Sequence, residues 1–403
     1  MSPSTTTPCT ASLQLSGLRR PGQIIPHVAE RGGVLTLPTA PRCPIQLLVS
    51  CPAGCTDADR TICAGYGGHM LVSWSEEIDA VLGGDLTAAL TYLTPAGGAV
   101  ATAVAPIGLR DRQAGWVGFT TSLGFGKKLD RIERDPHVAL AFHAREHGTS
   151  HSQRFVLVQG RAEIIPDPDE TLMTLVWDQG VRILGSAKRG RLFWDRWLRE
   201  YYAVRVPVLV HLDRIMTWPG LRCEGRPEVL GAPAPPAPPA PQDPPKGGTG
   251  PRLNSAKAAR RCRAKQHQLL AYRGADGYPV TVPVQIKEGG PDGMRVTAVP
   301  GLLPPGGRRA GLLAHSYRPH LIGLTTRYHT GWLQADSDGT ATYAPHTGAG
   351  FMAPPNKTLL LLGNGLIAKL GVRSARKAGR LTELPAGMSP MLDRPPARQS
   401  GPG

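Results

Sequence analysis

The sequence is poor in aromatic residues and has no long apolar segment. Phenylalanine, tyrosine and tryptophan together make up 5% of the 403 residues. No apolar run approaches the roughly 18 residues that span a bilayer, so no membrane partner is predicted. Residues 1–25 also lack the apolar block of a secretory signal. We therefore expect a cytoplasmic protein.

Acidic residues are few relative to basic ones, and the formal net charge is +16. The basic residues concentrate in segments 246–265 and 369–380. Neither segment contains interleaved aromatic residues or a nucleic-acid reader motif. The sequence therefore predicts no specific nucleic-acid partner, and the charge is better explained as a solvated basic surface that attracts anionic cofactors or substrates.

The cysteines are unevenly distributed. Five of the seven precede residue 64, and Cys43, Cys51, Cys55 and Cys63 form a C-x7-C-x3-C-x7-C array. Zinc or an iron–sulfur cluster is an open alternative for this array, but the spacing is not one of the usual zinc patterns. We predict no metal site and a disordered extension over residues 1–69. The isolated Cys223 and Cys262 are expected to be reduced.

A strand, a small-residue turn, a lysine-bearing helix and a second strand are predicted between residues 115 and 142. Val117 and Phe119 alternate with small residues, which is typical of a strand. Asp135 and Pro136 end the helix, because proline disfavours helical geometry in the residue before it. The β-branched and aromatic residues 137–142 then predict the next strand.

The turn and the start of this helix have the features of an anion-binding site. Gly124 and Gly126 leave the backbone free to approach a ligand. Lys127 and Lys128 fall in the first helical turn, where unpaired N–H groups and the helix dipole attract anions. A solvated lysine pair is the ordinary alternative, but the position directly after the glycine turn favours a phosphate group.

The order and spacing of these residues resemble the FMN-binding split β-barrel family, which includes pyridoxamine 5'-phosphate oxidases and deazaflavin-dependent reductases. With two flanking hairpins, the resemblance covers about residues 70 to 225. In this family a strand ends in an aromatic residue and threonine, and a small-residue turn follows. A basic residue and lysine then precede a helix that contains leucine, and Asn or Asp before proline comes after it. The matching residues here are Phe119, Thr120, Thr121, Ser122, Lys127, Lys128, Leu129, Asp135 and Pro136.

The resemblance implies a mainly β, α+β fold, the FMN-binding split β-barrel, whose cofactor lies in a groove shared by two barrels. It implies FMN as the cofactor, with coenzyme F-420 or haem as alternatives. The ring would lie against strand 101–107, although alternating alanine and valine also suit a tightly packed barrel wall. The implied cofactor-binding residues are Thr120, Thr121, Ser122, Lys127 and Lys128 for the phosphate, and Thr102, Val104 and Ala105 for the ring.

One departure from the oxidase pattern bears on the reaction. The oxidases have an arginine and a lysine on the second strand where this sequence has Thr102 and Ile107. This argues against vitamin B6 oxidation and leaves hydride transfer on an unknown small molecule, with FMN or a deazaflavin as cofactor. A non-catalytic split-barrel protein that binds or sequesters flavin or haem remains the alternative.

The same pattern recurs after a proline-rich segment, which predicts two tandem copies. Residues 231–251 are predicted to be a polyproline II linker. Residues 269–284 repeat the strand-turn-strand pattern, and residues 305–319 are predicted to repeat the basic helix. Arg308 and Arg309 would then stand in the approximate register of the lysine pair. Because the threonine pair is missing, the second copy is predicted to be degenerate.

This organisation predicts either a homodimer or an intramolecular pseudo-dimer of two barrels. The predicted segments are an extension over 1–69, a cofactor-binding barrel over 70–228, a linker over 229–251, a degenerate barrel over 252–350, and a basic helical and disordered tail over 351–403.

Three histidines, His143, His147 and His151, recur every four residues. On a helix they would form a metal-binding or haem-binding stripe, with His143 as the first haem ligand to suspect. Because they follow a predicted strand and run into Gly148 and Ser150, we predict exposed histidines in a loop.

Overall fold

The computed structural model describes residues 71–184, 192–377 and 379. The predicted extension over residues 1–69 and its cysteine array lie outside the described residues, as does most of the chain beyond residue 377.

The first half of the described chain consists of seven strands in one antiparallel sheet, an eighth short strand and four helices. In chain order these are α1 (Glu76–Gly84), β1 (Ala88–Leu93), β2 (Ala99–Val104), β3 (Arg110–Asp111), β4 (Trp116–Ser122), α2 (Gly126–Arg134), β5 (His137–Phe142), β6 (Phe155–Ile164), α3 (Glu170–Leu184), α4 (Leu192–Ala203), β7 (Arg205–Trp218) and β8 (Glu228–Gly231). The strand order is β2-β1-β5-β6-β7-β4-β3, and β8 pairs with β7.

The second half contains a second antiparallel sheet of seven strands. Its elements are α5 (Ser255–Arg263), β9 (His267–Arg273), β10 (Pro279–Pro283), β11 (Gln285–Gly290), β12 (Gly293–Thr297), β13 (Gly306–Ser316), a 3₁₀ turn (Pro319–Leu321), β14 (Thr325–Ala335), β15 (Thr340–Met352) and α6 (Lys357–Lys377). The strand order is β10-β9-β13-β14-β15-β12-β11.

The two sheets have the same topology. Each strand of the second sheet corresponds to the strand eight places earlier, and the two spatial orders then coincide. The register agrees as well, because Leu90 pairs with Leu140 as Leu270 pairs with Leu312. An irregularity precedes Gly160 on β6 and Gly331 on the equivalent β14. The predicted mainly β, α+β fold of two tandem split barrels is confirmed.

The second barrel is reduced at the place where the first carries its lysine-bearing helix. Residues 298–305, between β12 and β13, form no helix, and Leu302 and Leu303 are buried there in the core. The prediction of a basic helix over 305–319 is wrong, because most of this segment is strand β13, which pairs with β9 and β14. The prediction that Arg308 and Arg309 occupy the approximate register of Lys127 and Lys128 is therefore also wrong.

Arg308 has a structural role in this strand. Its side chain is buried and donates hydrogen bonds to the carbonyl oxygens of Pro305, at 2.7 Å, and Pro239, at 3.3 Å. A buried guanidinium needs such acceptors, since burying it without partners is costly.

The two barrels pack face to face, and the first contributes small side chains from β1, β2 and β5 and large ones, such as Phe155 and Trp218, from β6 and β7. The shared core contains alanines of the first barrel, together with leucines of the second such as Leu269 and Leu313. The alanines are Ala89, Ala99, Ala101, Ala139 and Ala141. Larger residues of the first barrel, including Leu90, Val117 and Phe119, form its own separate core. The alternation of small and large residues along β1, β2 and β5 thus separates an interface side from an interior side.

The two sheets approach each other closely at Gly311 on β13. A Cβ atom at this position would lie 2.7 Å from the carbonyl oxygen of Ala99 and 3.1 Å from the amide nitrogen of Ala101 on β2. The absence of a side chain at Gly311 therefore lets β13 pack directly against the backbone of β2.

The proline-rich segment between the barrels is attached to both of them. The side chain of Gln242 donates to the carbonyl oxygen of Gly97 in the first barrel and accepts from the amide of Arg309 in the second. Its backbone amide donates to the carbonyl oxygen of Gly307. The start of the segment is strand β8 rather than linker. The predicted free polyproline spacer is therefore replaced by a chain that hydrogen-bonds to the barrels along its course.

Helix α6, the last helix of the described chain, lies within the segment 351–403 that is predicted to be a basic helical and disordered tail. Of the helices that the structure describes, none has both the length and the apolar character required to cross a bilayer.

Candidate cofactor site

The predicted strand-turn-helix unit is present. Val117 and Phe119 of β4 are buried, and the strand ends at Ser122, whose Oγ accepts a hydrogen bond from the amide of Gly124 at 3.1 Å. Leu129 and Ile132 bury one side of α2. The helix ends at Arg134, directly before Asp135 and Pro136, as predicted. Residues 122–128 are called the candidate anion site below.

The helix in this site begins without a side-chain cap. Phe125 occupies the N-cap position and makes no side-chain hydrogen bond to the first turn. Its ring is exposed, and the Nζ of Lys128 lies 4.9 Å from the ring centroid. An uncapped helix start offers its N–H groups and the positive end of its dipole to an anion.

The two lysines of this site differ in environment. Lys127 is exposed, whereas Lys128 is half-buried. Among the described residues no carboxylate lies within ion-pair distance of Lys128. Desolvation by burial, with a smaller contribution from the positive charge of Arg205, lowers the pKa of Lys128 to about 7. A nearby anion would offset both effects, so the site favours a negatively charged ligand.

Arg205 is a component of the site that the sequence analysis did not assign. It lies on β7, where it pairs in register with Ser122 of β4. Its guanidinium donates a 2.6 Å hydrogen bond to the hydroxyl of Tyr201 and lies 4.8 Å from the centroid of that ring. Only the pairing of β4 with β7 places Arg205 beside Ser122.

Two predicted site residues carry hydroxyl groups that are buried without a partner. Among the described residues, neither Oγ1 of Thr121 nor Oγ1 of Thr102 has a hydrogen-bond partner. Thr121 follows Val117 and Phe119 on the interior side of β4, while Thr120 lies half-buried on the opposite side. A buried hydroxyl without a partner costs free energy. Both groups are therefore suited to hydrogen-bond a ligand.

The predicted ring-binding strand is shorter than expected. Strand β2 ends at Val104, which packs in the core of the first barrel. Ala105 packs instead with Ile107 and Val176 of α3. Ile107 adopts a positive φ of 49° in the turn that follows. The expectation of a strand continuing through residue 107 is wrong, because the chain turns away at this point to reach β3.

The C-terminal helix α6 covers the turn of the candidate anion site. Gly371 lies so close that a Cβ on Gly124 would be 3.1 Å from its Cα. Ala368 and Val372 of α6 pack with Leu123 and Tyr201. No local sequence pattern indicated this contact, which joins residues almost 250 positions apart.

The three regularly spaced histidines differ in burial. His147 and His151 are exposed in the loop, as predicted, but His143 is buried, so the prediction is wrong for this residue. His143 uses both ring nitrogens in contacts within the chain. It is therefore not placed to ligate haem. Within residues 71–184 and 192–377, no group of three or more His, Cys, Asp or Glu side chains is arranged to hold a metal ion.

The topology defines a protein of two fused split β-barrels, of which only the first has the helix and lysines of the candidate anion site. No protein-family model and no curated protein matches the chain.

Solved structures similar to this chain include the conserved hypothetical protein Rv2991 of Mycobacterium tuberculosis, with 24% identity over 39% of this chain and 92% of that one, at a TM-score of 0.29. General Stress Protein 26 of Bacillus anthracis str. Sterne has 17% identity over 39% and 97%, at a TM-score of 0.26. A pyridoxamine 5'-phosphate oxidase-related, FMN binding protein of Nostoc punctiforme PCC 73102 has 10% identity over 50% and 87%, at a TM-score of 0.23. At these identities the likeness concerns the fold alone.

Proposed function

We propose that this protein is a flavin-dependent or deazaflavin-dependent oxidoreductase of the pyridoxamine 5'-phosphate oxidase-like type. FMN is the favoured cofactor, coenzyme F-420 the alternative, and a small molecule the substrate. The observation that carries the proposal is the candidate anion site, in which Lys128 is partly desolvated without a carboxylate partner beside an uncapped helix start. When bound, such a cofactor supplies the hydride transfer.

The residues present suit a phosphate-bearing cofactor. Lys127 and Lys128 would contribute charge-assisted hydrogen bonds, and the first-turn amides of α2 would add neutral donors. Ser122 would add a hydroxyl to this set, whereas the unpartnered hydroxyl of Thr121 lies on the opposite, interior side of β4. Arg205 would raise the local positive potential. These groups bind and orient the cofactor, and α6 shields the turn from water on one side.

The packing of the barrels restricts where a ring could lie. Near Ala99 and Ala101, β2 is in backbone contact with β13, which leaves no room for a flat ring. A ring would therefore have to lie beyond this contact. Of the residues predicted to meet it, Val104 is buried in the core of the first barrel and Ala105 packs against α3, which leaves the unpartnered hydroxyl of Thr102. If the second barrel forms the facing wall, a single chain would provide the groove that the family builds from two subunits.

Titration of the purified full-length chain with FMN and with coenzyme F-420 tests this function. We expect a flavin or deazaflavin absorption spectrum that stays with the protein on gel filtration, and reduction of the bound cofactor by a nicotinamide or substrate donor. Tight binding without any turnover would favour a non-catalytic carrier. A protein that retains neither cofactor would refute the proposal.

Binding of the cofactor phosphate is expected to take up protons through Lys128. Because the pKa of Lys128 is lowered to about 7 in the free protein and an anion raises it, the fraction of Lys128 that is a neutral amine takes up a proton on binding. Affinity should therefore fall with rising pH between about 7.5 and 9, by up to about tenfold per pH unit. Calorimetry in buffers of different ionisation enthalpy measures the uptake. In Lys128→Met this uptake should disappear, and its persistence would assign the proton to another group.

A further inference from the structure

His143 and His315 occupy equivalent positions in the two barrels and contact each other across the interface. Leu140 and Leu312 are equivalent in register, and each histidine follows its leucine by three residues. The Nε2 atoms of the two rings lie 2.7 Å apart. This contact therefore lies at the pseudo-twofold axis that relates the two barrels.

The hydrogen bonds determine the protonation of the neutral pair. Nδ1 of His143 lies 2.9 Å from the carbonyl oxygen of Ala141, which can only accept, so Nδ1 carries the proton. Nε2 of a neutral His143 is then an acceptor, and Nε2 of His315 must donate to it. Nδ1 of His315 becomes a lone-pair acceptor, buried and without a partner among the described residues. While both rings are neutral, a single hydrogen bond between the Nε2 atoms therefore joins the pair.

The rings that surround the pair provide no negative charge in direct contact with it. The ring of His267 on β9 lies 5.3 Å from that of His143 and 5.0 Å from that of His315, centroid to centroid. Tyr317 stacks on His315 at 6.0 Å. Glu146 lies 3.0 Å from Nε2 of His267 rather than beside the pair.

The nearest other ion pair is Asp85 with Arg145, which is buried at the end of α1 and the loop after β5. The positive charge of Arg145 disfavours a second positive charge on His143. Burial is the larger effect, and together with His267 it lowers the pKa of His143 to about 3. Burial and the neighbouring histidines likewise hold the pKa of His315 well below its usual range. Burial raises the pKa of Asp85, which its pairing with Arg145 opposes.

We propose that His143 and His315 form an acid-sensitive clasp, which holds the two barrels together while both rings are neutral and releases them when the rings are protonated. Protonation of both rings would point two N–H donors at each other over 2.7 Å, and neither could accept. The rings must then separate, and the shared core on either side of them opens. This device is independent of any bound cofactor.

The sign of the pH dependence follows from the lowered pKa values. The opened state takes up two protons below about pH 6.5, the ordinary pKa of histidine, whereas the closed state takes up none until far lower pH. The interface is therefore stable above this value and loses stability as the pH falls.

Opening of the interface in the full-length chain between pH 7 and 5 tests the clasp. Because the amides of β5 and β13 bond to strands of their own barrels, the opening is followed at side chains, by hydroxyl-radical footprinting in the same pH range. We expect labelling of Phe155 and Trp218, which the shared core buries, to rise below about pH 6.5, with an opening constant that increases by up to about a hundredfold per pH unit. Labelling of Phe119 on β4, in the separate core of the first barrel, should change much less. An interface whose opening constant does not depend on pH would overturn the proposal.

Two matched double variants distinguish the titration of His143 and His315 from that of other groups. His143→Gln with His315→Gln keeps a neutral hydrogen-bonding pair and should remove the two-proton slope, whereas exposed His147→Gln with His151→Gln should retain it. Effects of Asp85, Glu146 and His267 are common to both variants. Equal slopes in the two would refute the clasp. So would a transition metal that the wild-type protein retains and the first variant lacks, because the pair would then be a metal site.

Discussion

Replacing Lys127 and Lys128 together by alanine is expected to weaken flavin binding by roughly a hundredfold or more. Each charge-assisted hydrogen bond to a phosphate contributes about 1.5–3 kcal/mol, and two are lost. The free energy of unfolding should hardly change, because Lys127 is exposed and Lys128 is desolvated without a carboxylate partner in the described chain. Fluorescence titration with FMN and thermal unfolding measure the two quantities.

The matched control is Lys257→Ala. This exposed lysine is the third residue of α5, as Lys128 is the third residue of α2, and its loss removes one positive charge where the double variant removes two. Its effect on FMN affinity should be small and should vanish at high salt. If the double variant binds FMN as tightly as the wild type, residues 122–128 do not form the anion site.

Gly311→Ala is expected to destabilise the packing of the two barrels against each other. The added Cβ would lie 2.7 Å from the carbonyl oxygen of Ala99. Because this atom belongs to the backbone and not to a flexible side chain, one of the two strands would have to shift. Overpacking of this kind costs about 1–3 kcal/mol. Denaturant unfolding should show the loss of stability, and FMN affinity should fall with it if the groove is shared.

Gly290→Ala provides the comparison for this variant. Gly290 is an exposed glycine on β11 of the same barrel, and a Cβ there meets nothing within 4 Å. Alanine should be neutral or stabilising by about 0.5–1 kcal/mol, because glycine loses more backbone entropy on folding. If Gly311→Ala is as stable as Gly290→Ala, the two sheets do not pack through β2 and β13 as described.

Elements encoded in short windows could be predicted from the sequence. The alternation in β4 and the Asp-Pro that ends α2 are both local signals. They involve hydrogen bonds and side-chain periods within a few residues, so the surrounding fold hardly alters them. The existence of a second copy also followed from the sequence, since its first hairpin repeats that of the first copy.

Strand β13 shows where local signals were insufficient. Its residues, with Arg308 and Arg309 followed by small and apolar side chains, suit either a helix or a strand. The segment forms a strand because it pairs with β9 on one side and with β14 on the other. The same applies to the alanines of β2, whose pattern fitted a ring-binding wall or a packed wall equally well. Contact with Gly311 shows that the Ala99 end is packed against the second barrel.

The sequence by itself determined a chain of two related barrels and the strand-turn-helix that carries Lys127 and Lys128, because these depend on neighbouring residues. The tertiary structure alone decided that Arg205 lies beside Ser122, that α6 covers the turn, and that His143 meets His315. Each of these contacts joins residues far apart in the chain. Their partners are selected by strand register and by the packing of one sheet on the other, which no local pattern specifies.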